Sequence, residues 1–288
     1  MSSECELKSR RLFDPNGAFW RVSRESVLLL GGGAALLMQL AHPKIAAAVA
    51  DHSDFREHPI RRLYRTVKTM QELIYGDQDT SLAAIERVNH IHSGVHGVMR
   101  EGTSFYSVGT HYNAANPELV LWVYATLIAT TLKTYSIFVH RLAPEDEQAF
   151  YLESRIIAEL FGAQDALVPR DLTSFQDYFS DMLSGPVLEI TPTARGLAED
   201  IIHPPIRGFP ATLGDVISVP ALALLPAQLR ERYGFKWDYK RKLAWSITRR
   251  TIRGTLPFLP KVARLNKSAR KAEHHQTRVP RYHKQSLG

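Results

Sequence analysis

Apolar positions recur along most of this chain at intervals of three and four, the spacing that lines one face of an α-helix. Residues 24–40 read as a first apolar helix, ended near His42-Pro43 because the residue before a proline is pushed out of the helical region. Residues 44–50 are alanine-rich and predict a short helix, punctuated by Asp51-His52-Ser53. Pro59 opens a helix to about Tyr75, with Leu63, Val67, Met70 and Ile74 on one face and Gly76 as its cap. Residues 81–99 form a third long candidate, with Ile85, Val88, His92, Val95 and Met99 at helical spacing. Asn116-Pro117-Glu118 starts a helix that runs to about His140, and Pro144-Glu145-Asp146-Glu147 puts a proline and acids in the first turn of another, ending at Phe161-Gly162. Further helical patterns cover 172–183, 194–201, an apolar stretch at 214–233 broken by Pro220 and Pro226, and an amphipathic, basic stretch at 238–254. No segment alternates with a period of two, and no repeat of solenoid length is present. The pattern predicts an all-α fold, a single multi-helix domain over residues 1–260.

Composition adds exclusions. With 288 residues, 44% hydrophobic and 23% charged, the chain has ample material for a core and is neither fibrous nor disordered overall. Cys5 is the only cysteine, which excludes an intramolecular disulfide, a Cys-ligated zinc site and an iron–sulfur cluster, and fits a cytoplasmic location. The first eleven residues are polar and mixed in charge, so no signal peptide is expected. The most apolar run, 27–38, holds three glycines and falls short of the roughly 20 residues a membrane span needs.

The formal charge of +7 changes the picture once it is located. Residues 261–288 carry eight Lys and Arg against the single acid Glu273, so the whole excess lies there and 1–260 are formally neutral. The body offers no net basic surface, and no specific nucleic-acid partner is expected. The polar segment 261–288 lacks an apolar stripe and reads as a flexible basic tail, with at most a weak contact to an anionic surface.

Three features carry candidate chemistry. Gly31-Gly32-Gly33 lies within a helical run rather than between a strand and a helix, so it reads as a place of close approach for a neighbouring helix or a flat ligand, not as a phosphate loop. His90, His92 and His96 fall within seven residues. His92 and His96, four apart on the expected helix, share a face and can hold one metal, while the plainer reading of His92 is a core histidine satisfied by a neighbour. Arg62, Arg65, Thr66 and Thr69 share one half of an otherwise apolar helix, and inward arginines need an anionic partner, either a core carboxylate or a bound ligand. Ser53 and Ser104 lack the glycine-flanked elbow of a nucleophile.

In order along the chain stand Leu28 to Gly33 with Ala34-Ala35-Leu36-Leu37-Met38-Gln39-Leu40-Ala41-His42-Pro43, then Asp51-His52-Ser53-Asp54-Phe55, Arg61-Arg62-Leu63-Tyr64-Arg65-Thr66, His92-Ser93-Gly94-Val95-His96-Gly97 and Trp122-Val123-Tyr124-Ala125-Thr126-Leu127. This series resembles the haem-containing oxygenase family of bacterial latex clearing protein and the fungal ER-bound oxygenase of mycophenolic acid biosynthesis. The resemblance implies an all-α domain enclosing a haem b pocket, with iron held by one axial histidine in a His-x-x-Val-x-Gly pattern that His92 matches. His96 and Asn89 stand where relatives often carry arginines that meet the haem propionates. Arg62 and Thr66 match a pair near the haem, and Arg65 falls where latex clearing protein has a distal lysine that takes part in the chemistry. A guanidinium stays protonated, so Arg65 would orient oxygen or substrate rather than act as a base. Gly32 and Gly33 would let the macrocycle approach the backbone. The implied activity is an oxidoreductase that uses dioxygen or peroxide, with an electron donor, to oxidise an apolar or aromatic small molecule, oxidative C=C cleavage leading. Hydroxylation, aromatic coupling and a non-catalytic haem-binding or sensor role are the alternatives.

Overall fold

A computed structural model describes residues 11–53, 59–203 and 211–278. Cys5, the motif residues Asp54 and Phe55, and the end of the expected tail, 279–288, lie outside the described residues, as does the side chain of Leu63. The helices are α1 (Ala18–Ser23), α2 (Gly32–Leu40), α3 (Pro43–His52), α4 (Pro59–Tyr75) and α5 (Gln78–Ser93). A short antiparallel hairpin of β1 (His96–Val98) and β2 (His111–Asn113) follows. Then come α6 (Pro117–Phe138), α7 (Pro144–Leu160), α8 (Leu172–Ser184), α9 (Pro192–Ile202), α10 (Ala211–Leu224), α11 (Ala227–Tyr233), α12 (Tyr239–Thr255), α13 (Lys261–Arg264) and α14 (Lys267–Arg278). The fold is all-α, as the periodicity predicts, with the two three-residue strands as its only sheet among the described residues.

The core is built around α6. Its start is written in the sequence: the Asn116 side chain accepts from the Glu118 and Leu119 amides, Pro117 presets the first turn and Glu118 faces the positive helix end. Leu119, Leu121, Trp122, Tyr124, Ile128, Tyr135 and Phe138 are buried around the whole circumference, which makes α6 an interior helix. It is seamed to α2 by polar bonds as well as by packing. Trp122 Nε1 donates to the Met38 carbonyl at 3.1 Å, and Gln39 Nε2 donates to Thr126 Oγ1 at 3.0 Å. The Tyr233 hydroxyl donates to the Leu37 carbonyl at 2.8 Å, tying α11 to the same seam.

Three expectations are corrected. Residues 24–40 are not one helix: a 3-10 turn over Ser26–Gly31 precedes α2, so the glycines sit at a junction, and α2 meets α3 at a bend of 107°. The helix expected to reach Met99 ends at Ser93, where Gly94 follows and the chain turns into β1. His96 is therefore a strand residue and shares no helix face with His92.

The third correction concerns the C-terminus, where residues 261–278 are folded rather than a flexible tail. Arg264 grips the buried carboxylate of Glu25 through Nε and Nη2, both at 2.8 Å. Glu273 accepts from Trp20 Nε1 and Arg24 Nη1, each at 3.0 Å. Ala269 and Ala272, three apart, bury a small apolar face in the main core, and Ser268 Oγ donates to Gln71 of α4. Two alanines make too faint a stripe to register among eight cations, yet they suffice when the partner is another helix.

Candidate functional site

The connection Gly76-Asp77 is two residues long, and the Asp77 side chain caps α5 by accepting from the Thr80 amide. So short a link folds α5 back on α4 as a helical hairpin. At 1.5 Å per residue, Arg62 lies about 20 Å before the end of α4 and His92 about 21 Å into α5, so the hairpin sets the two at the same level. Arg65, Thr66 and Asn89 lie in the turns next to them.

His92 occupies the last turn of α5 and is half-buried. Its Nδ1 atom is buried and has no hydrogen-bond partner. Burial lowers the imidazole below its ordinary pKa, so the ring is neutral at pH 7. The rest of its motif has a structural purpose. Gly97 faces Tyr112, whose hydroxyl oxygen would lie 2.5 Å from any Cβ placed there. That phenol donates to Asp51 Oδ2 at 2.7 Å and so holds the hairpin on α3. Val95 packs beside Tyr112 and Met99 in a small apolar cluster. Valine and glycine thus serve the hairpin, and the histidine is the motif member left with an unmet atom.

The remaining expected residues divide. Arg62 is half-buried, whereas Arg65 and Thr66 are exposed, so their half of α4 is not an inward face. The inward positions are Leu73 and Ile74, with Met70 packed against the core. Asn89 donates its amide to the Leu160 carbonyl at 2.9 Å, joining α5 to the end of α7. The His96 side chain is exposed on β1, and its carbonyl bonds His52 Nε2.

The three glycines also separate. A Cβ on Gly31 would meet Thr130 Cγ2 and Thr134 Oγ1 at 2.6 Å, and one on Gly33 would meet Ala221 Cβ at 2.7 Å. Both positions are spent on helix packing. Gly32 is exposed and faces open space, with nothing within 4 Å of an added Cβ.

Sequence reasoning passed over several buried polar atoms. Thr130 Oγ1 and Thr134 Oγ1, one turn apart on α6 beneath Gly31, have no partner. His42, a helix boundary and part of the Ala41-His42-Pro43 run in the sequence, has a buried ring with an unpartnered Nδ1, 5.9 Å from the Tyr106 ring. Burial, reinforced by Lys44, lowers its pKa to about 4. The signal available was a histidine inside an apolar run, the same signal that picked out His92.

Among the described residues no three His, Cys, Asp or Glu side chains gather as a metal-binding group. A metal bound through His92 would take most of its donors from a cofactor. A neutral imidazole with an unmet buried nitrogen and cations one helix away fit a planar anionic macrocycle.

Residues 20–254 match the family described as ER-bound oxygenase mpaB/B′/rubber oxygenase, catalytic domain. The chain is also 23% identical over 225 residues to two uncharacterised proteins, Rv2237 of Mycobacterium tuberculosis and Mb2261 of Mycobacterium bovis, a match that covers 75% of this chain and 84% of each relative. No solved structure matches.

Proposed function

The chain belongs to the oxygenase family of mpaB/B′ and rubber oxygenase catalytic domains, and from that premise we propose that it is a haem b-dependent oxidoreductase in which His92 would hold the iron. The observation that carries this reading is the buried, unpartnered Nδ1 of a ring that burial keeps neutral. Bound haem would supply the activation of dioxygen or peroxide, drawing on an electron donor where dioxygen is used. The chain's own residues do the rest. Arg62 offers charge to a haem carboxylate. Arg65 offers a planar fork of donors that orients oxidant or substrate, and the Thr66 hydroxyl adds a hydrogen bond that can donate or accept. Gly32 leaves the backbone open to a flat ring.

The substrate class in this reading is an apolar or aromatic small molecule, with oxidative C=C cleavage as the leading reaction and a cytoplasmic location. The test is oxygen uptake by haem-loaded protein with an olefinic apolar substrate, expressed per bound haem. Arg62→Ala and Thr66→Ala should each lower it about tenfold or more, a loss in the range of one charge-assisted contact. Values unchanged in both variants would remove α4 from the site. Loaded protein without turnover on olefins or aromatics would leave a haem-binding protein with no catalytic role.

A further inference from the structure

The basic amphipathic stretch that the function does not use is α12 with the turn and short helix that follow. α12 carries two apolar stripes on opposite sides. Trp245 and Ile252 face inward, with Trp245 edge-on to Phe138 at 5.6 Å. Tyr239, Leu243 and Ile247, spaced four apart, point outward and are exposed, Tyr239 to 77%. An outer helix face is ordinarily polar, so a second stripe has to be accounted for. It continues past the helix. Phe258 is 87% exposed between Pro257 and Pro260, which stiffen the turn that presents it, and Leu259 and Val262 are exposed beside it.

Beyond the capping Asp238, which pairs with Arg241, the charge along this segment has one sign. Residues 239–263 contain seven Lys and Arg and no acid. Lys240, Lys242, Arg249, Arg250, Arg253 and Lys261 are all exposed. Only Arg241 is drawn back, donating to the Lys236 carbonyl. This combination selects its partner. Nucleic acid would match the cations but gives aliphatic Leu243 and Ile247 nothing to bury against. A second copy of the chain would set cations against cations across a two-fold axis. An anionic bilayer supplies both halves, acidic headgroups for the flanks and acyl chains for the stripe.

We propose that α12 and the segment through Val262 form a docking face for an anionic membrane surface, with α12 lying along the headgroups and Phe258 inserted. This differs from a span, since no described helix is long and apolar enough to cross a membrane. It also moves the expected weak contact from the chain end to a structured face, and it rests on no feature of the haem reading.

The test is flotation of the full chain with vesicles of phosphatidylcholine alone and of 7:3 phosphatidylcholine to phosphatidylglycerol, mixed by mole. Binding to the second and not the first is expected. The double variant Ile247→Ser, Phe258→Ser should lower the partition coefficient at least tenfold. Neutralising Arg249, Arg250 and Arg253 to Gln should lower it roughly fivefold per charge removed. All five side chains are exposed, so melting curves should not move. The proposal is overturned if the serine variant floats like the wild type, which would leave only diffuse charge attraction. Loss of flotation on deleting residues 279–288 would overturn it by moving the contact to the chain end. A dimer that Ile247→Ser dissociates, or tighter retention by a single-stranded oligonucleotide than by vesicles, would assign the face to another occupant.

Discussion

The α2–α6 seam and the α4–α5 hairpin differ in how they spend their polar groups. At the seam, the Trp122 indole, the Gln39 amide and the Tyr233 phenol all close bonds between elements inside an apolar interior. On the hairpin the ion pairs Lys68–Glu72 and Arg87–Glu72 are surface pairs of small worth. His92 keeps a buried nitrogen unmet, and Arg65 and Thr66 stand exposed. The side chains that close the seam's bonds hold the fold, although Thr130 Oγ1 and Thr134 Oγ1 beneath Gly31 stay unpartnered at the same seam. A region that leaves donors and acceptors open at one level is organised for something else to meet them.

The contrast can be broken by mutation. Trp122 is fully buried and stacks on Phe179, so Trp122→Ala should cost about 3–5 kcal/mol in a denaturant melt. His92→Ala, which removes a half-buried ring with an unmet atom, should cost less than about 1 kcal/mol. Equal losses would make His92 an ordinary core residue. A second effect is read from pH. His42 stays neutral in the fold down to about pH 4, while the unfolded chain takes up a proton near the ordinary value of 6.5. Its contribution is fully present above 6.5 and lost as the pH falls to 4, about 3 kcal/mol in all. His42→Asn should flatten that part of the stability profile, and an unchanged slope would assign the acid lability elsewhere. The smallest effect belongs to the C-terminal strap. Glu25→Gln removes the charge that Arg264 grips and should cost about 2 kcal/mol, measured by thermal unfolding. No loss would return residues 261–278 to the status of a tail.

What could be read from the sequence follows from where the signals are local. The Asn116-Pro117-Glu118 start of α6 and the Asp238 start of α12 are caps, set by side chains within three residues of the amides they bind. The hairpin was hidden because Val95 and Met99 fall at helical spacing from His92 although they pack from a loop and a strand end, and the stop signal was a single glycine. The C-terminal fold depends on partners about 200 to 250 residues away, Glu25, Trp20 and Gln71, which no local pattern encodes. For the site, periodicity ranks a residue as inward or outward only when its neighbours are apolar. It therefore mistook the exposed Arg65 and Thr66 for an inward pair, and the motifs that single out His92 carry meaning only through their resemblance to a family.

The central claim is that His92 holds the cofactor, and the visible spectrum of haem-reconstituted protein tests it most directly. Wild type and His96→Ala should show the same Soret band and haem content, since His96 is exposed on β1. His92→Ala should fold with an unchanged far-ultraviolet spectrum and lose most of its haem. Full haem content and an unshifted Soret band in His92→Ala would contradict the assignment.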